Sequence, residues 1–309
     1  MTKTLTIVSC LYNEEKALPL FYSQLLETVD KIDPLKYKVN FLFLNNCSTD
    51  RSLEILRELA SADSRVNFLS LARNFGYQAS LLAGLNTVSS DLVFICDCDG
   101  EDPPHLLVDF LALYEKGHRI VYGERAEREE GRTMIWIRKV FYRVLRFLSD
   151  SEIILDMAEF SLFDQTVKKN ILDNSNTFPF IRSDLAYVGF NPAGIKYKRR
   201  HRLAGQSKYN LYKMYIFAVA GILTTSTFPM RISAYAMPFL IVIDIITLAF
   251  HLIRIDLLIM LNLMLLIITT TLVNLYIARI YKNAIRRPVF IIDYSNSKIS
   301  WQKNNESES

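Results

Sequence analysis

Short apolar runs alternate with longer amphipathic segments over the first 125 residues. Leu5 to Cys10, Val39 to Leu44, Val66 to Leu71 and Leu92 to Cys96 are nearly continuous apolar stretches of strand length, and Arg119 to Tyr122 adds a fifth. Between them, Asn13-Glu14-Glu15 open a helix with acids in its first turn, as the helix dipole prefers, and Ser52 to Ala60 and Tyr77 to Asn86 form two more. Strands alternating with helices predict right-handed crossovers and an α/β fold on a mainly parallel, Rossmann-like sheet. Ligands of such sheets bind beyond the carboxyl ends of the strands. Those ends are polar here: Tyr12 to Glu14, Asn45 to Asp50, Arg73 to Gly76, and Asp97 to Asp102.

After residue 125 the alternation breaks. Met134 to Ser149 is predicted as an amphipathic helix that interleaves Arg138, Lys139, Arg143 and Arg146 with aromatics, and Leu155 to Phe160 sets Asp156 and Glu159 beside an apolar strand. Asn174 to Pro179 reads as a turn. Lys196 to Lys213 holds seven Lys or Arg and no acid, a pattern suited to the phosphate of a lipid or of a substrate, and equally to plain attraction towards anionic lipid. Tyr209 to Thr225, apolar but interrupted by Lys213 and Gly221, is expected to lie as a helix on a bilayer surface.

Ile232 to His251 and Leu257 to Ala278 are apolar runs of about 20 residues, long enough to cross a hydrocarbon core. Their short connector, Leu252 to Asp256, makes them an antiparallel hairpin with both flanks on one side. Lys208, Lys213 and Arg231 precede the hairpin and Arg279, Lys282, Arg286 and Arg287 follow it, so the N-terminal domain and both termini are expected on the cytoplasmic side. Asp244 inside the first run is expected to pair with Asn262 or Asn274 of the partner helix or of another protomer, which keeps a homo-oligomer open. The expected organisation is a cytoplasmic catalytic domain at 1–207, an interfacial region at 208–231, a transmembrane hairpin at 232–278 and a basic cytoplasmic tail at 279–309.

Composition narrows the chemistry. The 309 residues are 50% hydrophobic with a net charge of +4, and the apolar excess sits in the last third. Met1-Thr2-Lys3 leads into only a short apolar strand, so no cleavable signal peptide is expected. Cys10, Cys47, Cys96 and Cys98 fall at strand ends of a cytosolic domain and should be reduced; the Cys96-x-Cys98 spacing lacks the second pair that zinc requires. No Gly-x-Gly-x-x-Gly or Walker-type loop is present, which weighs against dinucleotide oxidoreductases and P-loop enzymes. Nucleic acid is not an expected partner.

The most informative stretch is Phe94 to Pro104, where a strand runs into Asp97, Asp99, Glu101 and Asp102 and then a proline pair. Carboxylates aimed into one small volume repel one another unless a hard divalent cation joins them. The alternative is a solvated acidic turn closed by a proline-started helix.

Six motifs in order carry a resemblance: Tyr12-Asn13-Glu14-Glu15, Ser48-Thr49-Asp50, Arg73-Asn74-Phe75-Gly76, Asp97-x-Asp99 with Asp102-Pro103-Pro104, Tyr122-Gly123-x-Arg125, and Tyr197-x-Arg199-x-x-Arg202-x-x-Gly205-x-Ser207-Lys208-Tyr209. Residues 4 to about 231 resemble family 2 glycosyltransferases of the GT-A fold, in particular those acting on polyprenyl phosphates, such as dolichol-phosphate mannose synthases and bacterial undecaprenyl-phosphate sugar transferases. The resemblance implies an inverting membrane glycosyltransferase. Tyr12, Glu14, Asn45 and Asn46 would hold the nucleoside of a nucleotide-sugar donor. Asp97, Asp99 and Glu101 would hold Mg²⁺ or Mn²⁺ with the donor diphosphate, Arg125, Arg202 and Lys208 would bind phosphates, and Asp99 and Glu159 would be catalytic.

Three departures from the family pattern matter. Asn45-Asn46-Cys47 stands where the family usually has an acid, which favours a uridine donor over a guanosine one. Glu101 replaces the usual Gln, adding charge that should tighten cation binding. Ala158-Glu159-Phe160-Ser161 replaces Gly-Asp-Phe-Arg, so Glu159 is expected to take the role proposed for that Asp, as an orienting group or weak base. Two other readings remain: a non-catalytic nucleotide-sugar-binding scaffold, and transfer to a glycan or protein acceptor.

Overall fold

The computed structural model describes residues 2–127, 143, 154, 157–173, 178–204, 226–250 and 254–302. The chain divides into two compact units, one of Met1–Ile135, Ile154–Lys208 and Pro288–Ser309, the other of Trp136–Ile153 and Tyr209–Arg287. The expected helix Met134 to Ser149 apart from residue 143, the expected surface helix Tyr209 to Thr225, most of the turn Asn174 to Pro179, and Lys208 lie outside the described residues.

In the first unit the elements run β1 (Lys3–Leu11), α1 (Ala17–Val29), β2 (Tyr37–Asn45), α2 (Ser52–Ala62), β3 (Val66–Leu71), α3 (Tyr77–Thr87), β4 (Leu92–Ile95), α4 (Leu107–Glu115), β5 (Ile120–Glu127), β6 (Met157–Asp164), α5 (Gln165–Leu172), α6 (Ile181–Tyr187) and β7 (Ala193–Lys198). After the second unit the chain returns as β8 (Ile292–Lys298). The sheet order is β7-β5-β6-β4-β1-β2-β3-β8. All strands share one direction except β6 and β8, so the mainly parallel α/β fold read from the sequence is observed.

Period-two alternation puts a core on each face of the sheet. Phe41, Phe43, Leu92 and Phe94 pack on one side, with Phe21 and Phe110 from the helices, while Leu42, Leu44, Val93 and Ile95 face the other, with Leu81 and Leu85 of α3. An aromatic chain runs from that first core towards the carboxyl edge. Phe94 meets Phe110 and Phe160 with ring centres 5.4 and 5.1 Å apart, and Phe160 meets Tyr197 at 5.4 Å. Gly123 allows this approach, because a Cβ there would stand 2.6 Å from the Tyr197 ring and 2.7 Å from Phe160.

Two expectations change. The first helix starts at Ala17 rather than at Asn13, because side chains of the next loop claim the backbone before it: the Asn13, Glu14 and Glu15 N–H groups donate to Ser48 Oγ, Ser52 Oγ and Asp50 Oδ2. The segment 279–309, read as a basic tail, is not one along its length, since Ile292–Lys298 forms β8 against β3. Alternation in Ile291-Ile292-Asp293-Tyr294 is too short to mark a strand by pattern alone.

In the second unit, α7 (Phe228–Ala249) and α8 (Ile255–Ile285) are long and apolar enough to cross a membrane. Asn262 Nδ2 donates to Asp244 Oδ2 at 3.1 Å, the intramolecular choice among the partners expected for Asp244.

Candidate active site

The shared strand direction brings the loops after β1, β2, β3 and β4 to one edge. β6 joins them from the opposite direction. Its register pairs Ile95 with Ser161, so Glu159, two residues earlier on β6, comes level with Asp97, two residues past Ile95. Two carboxylates separated by some 60 residues of chain thus meet through strand register.

Asp97 is enclosed. Tyr77 Oη donates to its Oδ1 at 2.7 Å, and burial, followed by the charges of Asp99 and Asp102, pushes its carboxyl well above the usual range. The Tyr77 phenol is likewise raised by burial and then by Asp97 and Glu159. Glu159 Oε1 accepts from Gln78 Nε2 at 3.2 Å, and Gln78 Oε1 accepts from the Ile181 N–H at 3.0 Å, so α3 and the start of α6 orient it.

The segment after β7 closes on the acidic loop. Arg200 N–H donates to Glu101 O at 2.9 Å and Leu203 N–H to Asp99 O at 3.0 Å. Gly100 makes room: its φ is +73°, and a Cβ would fall 2.4 Å from Leu203 Cγ. Arg202 stands 3.0 Å from Asp99, 3.3 Å from Glu101 and 3.8 Å from Glu14, and Arg199 pairs with Glu101. Burial and Asp99 raise the Glu101 carboxyl, while Arg199 and Arg202 oppose them.

The predicted trio of metal ligands is not a formed three-ligand centre. Among the described residues no three His, Cys, Asp or Glu side chains converge on a common cation position. Asp97 is turned to Tyr77, and Glu101 to two arginines. Asp97 and Asp99 still suit a hard divalent cation, because such ions take one or two protein carboxylates and complete their shell with phosphate oxygens and water. A half-buried carboxyl whose charged form is disfavoured is a donor that such an ion would relieve.

Arg125, a candidate phosphate ligand, is held by protein partners beside the acidic loop. Cross-strand register sets it beside Tyr197, where its Nε donates to Tyr197 Oη at 3.2 Å and a terminal nitrogen lies 3.5 Å from Asp102. Tyr197 Oη donates to Asp102 Oδ1 at 2.5 Å, and Asp102 is only 2% exposed. This buried triad ties β5 and β7 to the proline pair after the acidic loop. In the sequence, Asp102-Pro103-Pro104 and Tyr197 mark the members of this triad without pairing them.

At the other end of the edge, Asn45 and Asn46 are buried. Asn45 Nδ2 donates to Ser70 Oγ at 3.1 Å, and its Oδ1 accepts from the Ser48 N–H at 3.0 Å. Asn46 Nδ2 donates to Asn74 Oδ1 at 3.0 Å, and its Oδ1 accepts from the Phe75 N–H at 2.9 Å. Asn45 thus ties the loop after β2 to β3 itself and Asn46 ties it to the loop after β3; among the described residues Asn46 keeps one lone pair and one N–H without a partner. Tyr12 and Glu14 lie half-buried at the same edge. Sequence reading missed Tyr77 and Gln78, which directly follow the Arg73 to Gly76 motif, and gave Arg199, a position of the Tyr197 to Tyr209 motif, no role of its own.

Comparison with known proteins gives the family. Glycosyl transferase family 2 matches residues 6–190. The uncharacterized glycosyltransferase YkcC of Bacillus subtilis (strain 168) is 35% identical over 75% of this chain and 71% of its own length. The bactoprenol glucosyl transferase of Shigella phage SfV is 33% identical over 75% of each chain, and the prophage bactoprenol glucosyl transferase homolog of Escherichia coli (strain K12) is 32% identical over the same shares.

Proposed function

We propose, from the premise that the chain belongs to glycosyl transferase family 2, that it moves a sugar from a uridine diphosphate donor to a polyprenyl phosphate. The observation that carries the reading is the meeting of Asp97, Asp99, Glu159 and Arg202 at one strand edge. The bactoprenol glucosyl transferases among its relatives support the acceptor class.

In the reaction, an oxygen of the acceptor phosphate forms a bond to the anomeric carbon as the bond from that carbon to the β-phosphate oxygen breaks. The nucleoside diphosphate leaves and the anomeric centre inverts. A phosphate monoester has its second pKa near 6, so its attacking oxygen is already largely deprotonated at neutral pH. Glu159, held by Gln78, therefore orients the reacting groups rather than removing an essential proton. A divalent cation held by Asp97 and Asp99 would supply charge stabilisation to the departing diphosphate. Arg202 can exchange its carboxylate partners for phosphate oxygens, and Lys208 is assigned to phosphate by the motif it completes. Together they screen the repulsion between two anions brought into line.

The free lone pair and N–H of Asn46 suit the donor and acceptor pair on a uracil edge, whereas guanine presents two adjacent donors. The apolar hairpin would sit in the bilayer with its basic flanks and the catalytic unit on the cytoplasmic side. Thermal shift with UDP and GDP, each with Mn²⁺, tests the donor assignment: UDP should raise the melting temperature and GDP should not. A larger shift with GDP would reverse the assignment.

A further inference from the structure

The segment that follows the apolar hairpin reaches the nucleoside end of the site. β8 sets Ile292 opposite Leu71 and Asp293 opposite Ser70, and the register shifts between Phe68 and Ser70. A bulge leaves a ladder N–H without its main-chain partner, and a buried N–H needs another. Here the Ser70 N–H donates to Ser297 Oγ at 2.9 Å, while the Ser297 hydroxyl donates to Asp293 O at 2.7 Å. Ser70 is 3% exposed, so water does not readily substitute.

From Ser70 the bonds continue into the candidate site. Its Oγ accepts from Asn45 Nδ2, Asn45 Oδ1 accepts from the Ser48 N–H, and Ser48 Oγ accepts from the Asn13 N–H. Two residues beyond Ser70, the Ala72 N–H donates to Ile291 O at 2.9 Å, directly before the Arg73 to Gly76 motif. Phe290, Ile292 and Trp301 pack in the same apolar cluster as Phe75 and Tyr77. Trp301 Nε1 also donates to Thr87 O at 3.0 Å, at the end of α3.

We propose that Ser297 is a positioning residue for the donor nucleotide, acting through Ser70 and Asn45 on the loops after β1 and β2. The chain beyond the hairpin thereby completes the catalytic sheet and presets its nucleoside end. The role rests on the donor reading above. Covering the edge of β3 is the purely structural alternative, and it predicts a change in stability without a change in donor affinity.

The test uses the full chain in detergent, with UDP titrated by calorimetry and donor KM, kcat and melting temperature measured in parallel. Ser297→Ala should weaken UDP binding about tenfold and raise donor KM to match, with kcat nearly unchanged, as expected when one buried N–H loses its acceptor. Ser297→Thr should restore both, and Tyr294→Ala, on the same strand but outside the relay, should match the wild type. If Ser297→Ala does not fold, Ser297→Cys replaces it, with weaker UDP binding expected at an unchanged melting temperature. Wild-type UDP affinity in the folded variant would overturn the proposal. A wild-type chain that binds no nucleotide would overturn the donor reading itself, and this role with it.

Discussion

The Arg202 guanidinium lies 3.0 Å from the Asp99 carboxylate, joining the segment after β7 to the acidic loop after β4. A cationic side chain able to exchange carboxylate for phosphate thus stands beside a candidate metal ligand. Replacing Arg202 with Ala should lower turnover about 10²- to 10³-fold, the range for one lost preorganised donor. Lys208→Ala should act in the same direction. Arg200 contacts the His105 ring at 3.3 Å and no site carboxylate, so Arg200→Ala should cost far less. Steady-state kinetics in detergent separates these outcomes; if all three substitutions weaken liposome binding equally and leave turnover in detergent untouched, the basic stretch is only a membrane anchor.

Asp99 and Glu101 should also part company. Asp99→Ala, or chelation with EDTA, should remove turnover by orders of magnitude if a cation supports the leaving group. Glu101 faces Arg199 and Arg202, so Glu101→Gln should keep much of the activity. Mn²⁺ titration followed by electron paramagnetic resonance gives a second readout, in which Asp99→Ala loses the bound signal and Glu101→Gln retains it.

Arg125 should prove structural. Its loss leaves Asp102 as a buried carboxylate without its cation, and breaking such a pair costs about 3–5 kcal/mol. Arg125→Ala should therefore lower the melting temperature sharply, and Tyr197→Phe, which removes one bond to Asp102, should cost about 1–3 kcal/mol. A stable Arg125→Ala protein that has lost only activity would return Arg125 to the phosphate site.

Asp63 sets a pH dependence away from the site. Burial would raise its carboxyl, but bonds from Arg65 and Tyr22 outweigh burial and hold it down at about 2. A folded value below the unfolded one, about 3.9, means that stability is present above that value and lost as pH falls towards 2. With the Arg65 side chain 41% exposed, solvent screening reduces the contribution to about 1 kcal/mol. Asp63→Asn should be destabilised by that amount in denaturant melts at pH 7, and the gap should narrow by pH 3.

Membrane topology has its own check. A single cysteine at position 254, in the hairpin connector, should react with an impermeant thiol reagent from outside the cell. Reaction only after permeabilisation would reverse the orientation.

Much of the sheet was legible because buried parallel strands are written as continuous apolar runs; Val66–Leu71 is read to the residue. The candidate site was legible as a set of strand ends, since polar motifs there converge whatever the loop details. What the sequence could not show was which partner each polar group takes. Arg125 and Arg202 are equally basic in a motif, yet register puts one beside Tyr197 and leaves the other over the acidic loop. The Asn45 and Asn46 amides read as ligand-facing groups, and loop packing turns part of their bonding capacity inward. β8 escaped because its partner strand lies over 200 residues away, and a short run of mixed polarity carries no period strong enough to mark a strand.

The central claim is transfer of a sugar to a lipid phosphate. The most direct measurement incubates the detergent-purified chain with undecaprenyl phosphate, Mn²⁺ and a panel of radiolabelled UDP- and GDP-sugars, then counts label in the organic phase. One UDP-sugar should yield lipid-linked label that depends on Asp99 and Arg202. No lipid-linked label from any sugar, or label carried instead by a glycan or protein acceptor, would contradict it.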